Sequence, residues 1–327
     1  MISISQAILQ FLQSVSLSRS ENTARSYKNA LRSFSLVLED HGINDTTEID
    51  QLTEDAVSWF AVALKHYSPA TEQMYLTAVA GFFEYLAAER LLDPNLPRVR
   101  LLIRQRARKP GQRLPQFPRE NIEIIINYAI NLAGVATQNE TEHLRNMRDR
   151  AFLLTLADTG LRVHEACKLT RGDIDWNEGR SLLIGKGDRE AVVRFSSRSL
   201  TALRDYLGAR SKIDGAFGKP LTSLPLFARH DRGAGKKISA ITTATGRNIV
   251  AQRVVEALGL EAVGSITPHS FRHYFVTTVL RGSGGNLKLA QELARHRNIA
   301  VTQRYAHLSD DELDQGYWEI FEGDTKT

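Results

Sequence analysis

Cysteine is almost absent: Cys167 is the only one in 327 residues. A single thiol excludes an intramolecular disulfide framework and a thiolate metal cage, and its place in an apolar helical stretch suits a small buried hydrophobe. Also missing is any run of the ~20 apolar residues needed to cross a bilayer. The opening MISISQAILQFLQS has neither the basic lead-in nor the long apolar segment of a targeting signal. No internal repeat or low-complexity tract is present. A cytoplasmic protein is expected, with no membrane partner. The length, with 42% hydrophobic and 24% charged residues, allows two domains with separate cores.

Acidic residues are missing from one stretch in particular. Residues 95–119 hold 8 Lys+Arg and no Asp or Glu, whereas residues 1–94 hold 6 Lys+Arg against 12 Asp+Glu. A basic segment between less basic parts favours contact with a polyanion, although charge alone fits a solvated linker equally well.

The first ninety-odd residues carry helical periodicity and little strand signal. Tyr27, Leu31, Phe34 and Leu38 recur on one helix face, while Arg25, Lys28 and Arg32 fall on another. Ser68-Pro69 reads as a cap followed by a first-turn proline, with Tyr75, Val79, Phe82, Phe83 and Leu86 behind it. A helical bundle over residues 1–96 is expected. Four prolines interspersed with arginines in PRVRLLIRQRARKPGQRLPQFP place an interdomain linker at 97–118.

A second domain, 119–327, opens with a helix near 119–132 and a second, apolar one over 146–159. DIDWNEGRSLLIGKGDREAVVRF then contains three short β-type runs separated by turn residues, a three-stranded antiparallel meander with Lys186 in its second turn. The pattern is helical afterwards. The fold class is therefore mainly α: an amino-terminal helical bundle plus a mixed α+β domain with one small sheet.

Chemistry-bearing residues cluster in that second domain. In TGLRVHEACKLT, Arg162 stands at a helix start with Glu165 three residues on, and helix amides with a guanidinium make a site for one phosphate. In TPHSFRHYF, His269 and Arg272 are one helical turn apart and can meet at one target. His269 and His273, four apart, would also fit two metal ligands, but no HExxH glutamate or third ligand accompanies them and a neighbouring arginine would repel a cation. No metal or other cofactor is expected. Tyr305 follows His296 by nine residues in ARHRNIAVTQRYAHL. A phenol, with a pKa of about 10, is a poor nucleophile unless cations stabilise the charge it creates on a phosphate.

The order Arg162, Lys186, His269-x-x-Arg272, His296, Tyr305 resembles the tyrosine recombinase (phage integrase) family across essentially the whole chain. The amino-terminal helix with Thr23 and Tyr27 resembles that family's SAM-like core-binding domain. The chain's length resembles the two-domain Xer or transposon-associated type. The resemblance implies that the two domains clamp double-stranded DNA, with a homodimer on each site and a tetramer at synapsis; the need for a second recombinase stays open. It further implies Tyr305 as nucleophile, Arg162 and Arg272 as the clamp on the scissile phosphate, and Lys186 as the donor to the leaving 5′ oxygen. His269 would move protons, His296 would hydrogen-bond the phosphate, and Glu165 would support them. Arg25, Lys28, Arg32, Arg108 and Lys109 are the candidate DNA contacts. Two positions depart from the family pattern: Arg295 precedes His296 where glycine is frequent, and Phe271 stands where leucine is usual.

An amphipathic segment with Leu313, Tyr317 and Ile320 is expected to form a short terminal helix. Such a helix could pack on its own domain, whereas the family resemblance implies docking on a neighbouring protomer, and the choice between cis and trans stays open. Two other functions compete with site-specific recombination: type IB topoisomerase-like strand passage, and a DNA-binding protein of the same fold that does not cut.

Overall fold

The structure is a computed structural model that describes residues 2–108, 118–185, 189–216, 218–231 and 238–303. It divides into two compact units, Met1–Gln112 and Arg113–Thr327. Among the described residues no helix is long and apolar enough to cross a membrane.

Among the described residues the first unit holds five α-helices: α1 (Ile4–Ser18), α2 (Glu21–Asp40), α3 (Asp55–Ala63), α4 (Pro69–Ala88) and α5 (Leu96–Arg106). Side-chain caps start them. Ser20 Oγ accepts from the Thr23 amide and Ser68 Oγ from the Thr71 amide, satisfying helix-start donors that would otherwise be orphaned. Phe11, Phe34, Phe60, Phe82 and Phe83 form the aromatic centre of the core. The Phe34 and Phe60 rings meet edge-on with centroids 5.2 Å apart, the favoured quadrupolar arrangement.

Residues 97–118 differ from the expected linker, because their first part is α5. Pro97 falls in the first turn, where its missing N–H costs no hydrogen bond, and Asn95 Oδ1 accepts from the Arg98 amide. Val99 and Leu102 are buried in the bundle core while the arginines stay outside. Apolar spacing within the basic stretch thus outweighs its prolines, and α5 belongs to the first unit.

Its end is pinned by a buried carboxylate. Glu72 in α4 has no solvent exposure and accepts from Lys65 Nζ at 2.7 Å, the Arg108 amide at 3.0 Å and Arg108 Nε at 2.6 Å. Burial alone would raise its pKa; hydrogen bonds from Lys65 and Arg108 override that and hold it at about 2.

In the second unit come α6 (Arg119–Asn131), α7 (Glu140–Thr159), α8 (Val163–Lys168), α9 (Ser197–Ala209), α10 (Ser211–Gly215), α11 (Thr243–Leu258), α12 (Pro268–Gly282), α13 (Leu287–Ala294) and α14 (Ile299–Gln303). The expected meander is there: β1 (Ile174–Asp175), β2 (Arg180–Gly185) and β3 (Arg189–Arg194), antiparallel in the order β1-β2-β3, with Ile174 opposite Ser181 and Leu182 opposite Val192. Helix α7 is the central element, buried over most of its last four turns and packed against α6, α9 and α12. Cys167 is a buried free thiol whose pKa is pushed up to about 11 by burial, so it is not a nucleophile.

Candidate active site

The site is built where α7 ends. Gly160 caps that helix in the left-handed conformation, φ 59°. A Cβ at this point would lie 2.4 Å from the Phe275 ring, so glycine is required both by the backbone angle and by the close approach of α12. The reversal leads directly into Arg162, the residue before α8. Glu165, three residues into the turn, accepts from the Arg162 amide at 2.8 Å and from its guanidinium at 2.9 Å. One carboxylate thus caps the helix and orients the side chain.

Arg272 reaches the same place from α12. It is 2% exposed and donates to the Gly160 carbonyl and to the Ala294 carbonyl. These are the carboxy-terminal ends of α7 and α13, where helix carbonyls lack intrahelical donors and the dipole is negative. A buried guanidinium is tolerated here because two helix ends solvate it.

His269, in the first turn of the same helix, has its pKa lowered by partial burial, with Arg272 and Arg162 adding to the effect. His273 packs edge-on against it, with ring centroids 4.3 Å apart. Among the described residues no group of three or more His, Cys, Asp or Glu could hold a metal ion.

His296 follows the end of α13. Its Nδ1 lies 2.9 Å from Thr302 Oγ1, a hydrogen bond whose donor depends on the imidazole tautomer, and Thr302 is fully buried. Burial lowers its pKa to about 4, with Arg272, Arg162 and His269 contributing repulsion in that order. The same two arginines thus lower the pKa of both His269 and His296, residues that the sequence spreads over positions 162 to 296.

Arg295 is the residue that sequence reasoning noted but did not assign. It caps α13 in the left-handed conformation, φ 57° and ψ 44°, which explains why glycine is frequent there in the family pattern. Its Nη2 donates to Glu165 Oε2 at 3.1 Å and lies 3.5 Å from the Gly160 carbonyl. Glu165 is consequently shared between Arg162 and Arg295. Burial would raise the Glu165 pKa, but Arg295 and Arg162 together lower it.

Lys186 and Tyr305 lie outside the described residues, as do Lys109 and the expected terminal helix at 313–321. Arg25, Lys28 and Arg32 are exposed on one face of α2, with Arg25 paired to Glu21 at 2.9 Å. Arg108 has a role in the fold that its charge did not foretell: besides Glu72, its Nη2 donates to the Tyr67 carbonyl at 2.5 Å.

Comparison with known proteins identifies the family. The sequence profile of the Phage integrase family matches residues 130–312, and that of the phage integrase N-terminal SAM-like domain matches residues 8–108. The tyrosine recombinase XerD of Mycobacterium tuberculosis is 30% identical over 301 residues, covering 87% of this chain and 86% of its own. XerC of Herpetosiphon aurantiacus is 29% identical over 316 residues, covering 94% and 92%. The fold is similar to that of the Tn1549 transposon integrase in complex with transposon right end DNA (TM-score 0.66, 19% identity, 98% and 100% covered). It is also similar to that of a lambda integrase dimer bound to a core site (TM-score 0.64, 16% identity, 94% and 96% covered). With both profiles matched in the order of the two units, and a relative 30% identical over most of both chains, the chain belongs to the phage integrase family, the tyrosine recombinases.

Proposed function

We propose that this recombinase cuts and rejoins double-stranded DNA at a specific site through a 3′-phosphotyrosine, without metal or ATP. The carrying observation is that Arg162, held by Glu165 just past the end of α7, and Arg272, bonded to the carbonyl of Gly160 at that same helix end and to that of Ala294 two residues before His296, are brought to one place. Charge in a phosphodiester transition state is spread over the phosphate oxygens, and two guanidiniums oriented in advance stabilise it without reorganisation. The Tyr305 oxygen forms the bond to phosphorus while the bond to the 5′ oxygen breaks. Lys186 gives that oxygen its proton, and His269 takes part in moving the proton of the phenol. His296 donates to a phosphate oxygen, with its ring held by Thr302. The phosphotyrosine conserves the energy of the broken bond, so the 5′ hydroxyl of another strand can reverse the attack.

Relatives named tyrosine recombinases, and DNA-bound structures of similar fold, support DNA as the partner and strand exchange as the outcome. The match of the SAM-like domain weighs against the topoisomerase alternative. A homodimer on each site, a tetramer at synapsis and a cytoplasmic location complete the reading, with Arg25, Lys28, Arg32, Arg108 and Lys109 as proposed DNA contacts.

Covalent trapping tests it. DNA selected by binding from a random pool, nicked near the cleavage position, is incubated with wild type and Tyr305→Phe. A denaturation-resistant adduct is expected with wild type alone. Tight specific binding without any adduct would transfer the assignment to a DNA-binding protein that does not cut.

A further inference from the structure

Arg295 is a costly choice at its position. Only Arg90 and Arg295 among the described non-glycine residues have positive φ, and a long side chain in the left-handed region gives up the conformational ease that glycine has there. Its side chain is nevertheless directed inward, 10% exposed, onto Glu165 at 3.1 Å.

Structural arginines in this chain look different. Arg210, fully buried, spends its guanidinium on Asp214, the Tyr206 hydroxyl and the carbonyls of Leu226 and Pro225. Arg253 does the same with Asp149, Asn146 and Glu256. Arg295 keeps Nη1 buried without a hydrogen-bond partner among the described residues. A guanidinium desolvated with part of its donor edge uncommitted is a cation that an arriving anion would relieve.

We propose that Arg295 is a positioning residue of the phosphate site: it neutralises Glu165, so that the charges of Arg162 and Arg272 are both available to the scissile phosphate. This rests on the recombinase reading for its biological meaning, but its physics needs only an anion. Glu165 is needed to orient Arg162 through backbone and side chain, yet by itself it cancels one of the two clamp charges. Arg295 removes that conflict. Three guanidiniums and one carboxylate leave two net positive charges, matching the charge a phosphodiester develops as it is attacked.

The test uses full-length protein and inorganic phosphate, with binding followed by calorimetry at low ionic strength. Arg295→Gly relieves the backbone and removes the charge; it is expected to remain folded and to bind phosphate about 10-fold more weakly, the size of one charge acting across a partly buried site. Arg295→Lys should keep most of the affinity. The double variant Arg295→Gly/Glu165→Gln should return to within about 3-fold of wild type, because it restores the net charge without refilling the space. A purely packing role would give no such rescue. Unchanged affinity in Arg295→Gly, no detectable phosphate binding by wild type, or a double variant no better than the single would each overturn the proposal. Cleavage of the nicked, pool-selected DNA should be slower in Arg295→Gly than in Arg295→Lys, while the double variant, whose glutamine keeps only one of the two acceptor oxygens that hold Arg162, is judged on phosphate affinity alone. Absence of an adduct with wild type would count against the recombinase reading alone, since the phosphate comparison does not depend on cleavage.

Discussion

The Arg162 amide and the Arg162 guanidinium both donate to the carboxylate of Glu165, at 2.8 Å and 2.9 Å. An exposed arginine is thereby held at both its root and its tip by a residue one helical turn away. Removing that acceptor has two consequences. Glu165→Ala should slow strand cleavage by about 10-fold or more through loss of orientation. It should also destabilise the protein by about 3 kcal/mol, because the Arg295 guanidinium is left buried without its counter-charge. Single-turnover cleavage and chemical denaturation separate the two effects, and an unchanged rate would show that Arg162 is not oriented by Glu165.

Arg272 is expected to be intolerant even of lysine. Its guanidinium donates to the carbonyls of Gly160 and Ala294, and only a planar fork reaches both helix ends at once. Arg272→Lys should fold but cleave about 100-fold more slowly. Arg272→Ala should in addition lose about 2–4 kcal/mol, since two buried carbonyls lose their donors. Equal rates for wild type and the lysine variant would remove Arg272 from the clamp.

Much of this arrangement could be read from local signals. Ser68-Pro69, Gly160 and the meander turns each act within a few residues, so their elements were foreseeable, and His269-x-x-Arg272 needed only a helix to bring the pair together. Arg108 and Arg295 could not be placed in that way. Their partners, Glu72 and Glu165, are 36 and 130 residues away, and nothing in the sequence around Arg108 or Arg295 points to either carboxylate. For Arg295 one signal did exist: an arginine next to a helix end where related chains often have glycine is a strained choice that calls for a compensating contact.

Gly160→Ala should be far more damaging than an ordinary glycine substitution. The left-handed backbone costs about 1–2 kcal/mol for any residue with a Cβ. The clash with Phe275 at 2.4 Å adds about 1–3 kcal/mol of overpacking. Trimming the ring in Gly160→Ala/Phe275→Leu should recover part of the second term and none of the first. Thermal melts of the four proteins test this, and additive losses would mean that the ring is not the obstacle.

The histidines give a pH signature. His296 and His273 are both held at about 4, chiefly by burial, with neighbouring cations or imidazoles adding to it. A histidine lowered on folding contributes stability that is complete above its unfolded pKa of about 6.5 and is lost as pH falls from there through about 4. Wild type should therefore lose melting temperature between pH 7 and pH 4.5, and His296→Asn should lose less. In NMR titrations inorganic phosphate should raise the His296 pKa, because an anion offsets the guanidiniums that depress it. A His296 value already near 6.5 without phosphate would contradict the electrostatic account.

The basic residues of the first unit should separate into two classes when binding is measured against salt. Arg25, Lys28 and Arg32 project from one face of α2 into solvent. Their combined replacement by alanine should flatten the logarithmic salt dependence of DNA binding by about 2–3 units while changing stability by less than about 0.5 kcal/mol. Arg108→Ala should do the reverse. Among the described residues Glu72 would keep only Lys65 as a charged partner, at a cost of about 3 kcal/mol, whereas the salt slope should change by about one unit at most. Acidification provides an independent check on Glu72. With its pKa held at about 2, the stability it contributes is complete above about pH 4.5 and is lost as pH falls through 2, so Glu72→Gln should remove that part of the acid transition. If Arg108→Ala left stability intact and flattened the slope as much as the α2 triple variant, Arg108 would be a phosphate contact first and a fastening for α5 second.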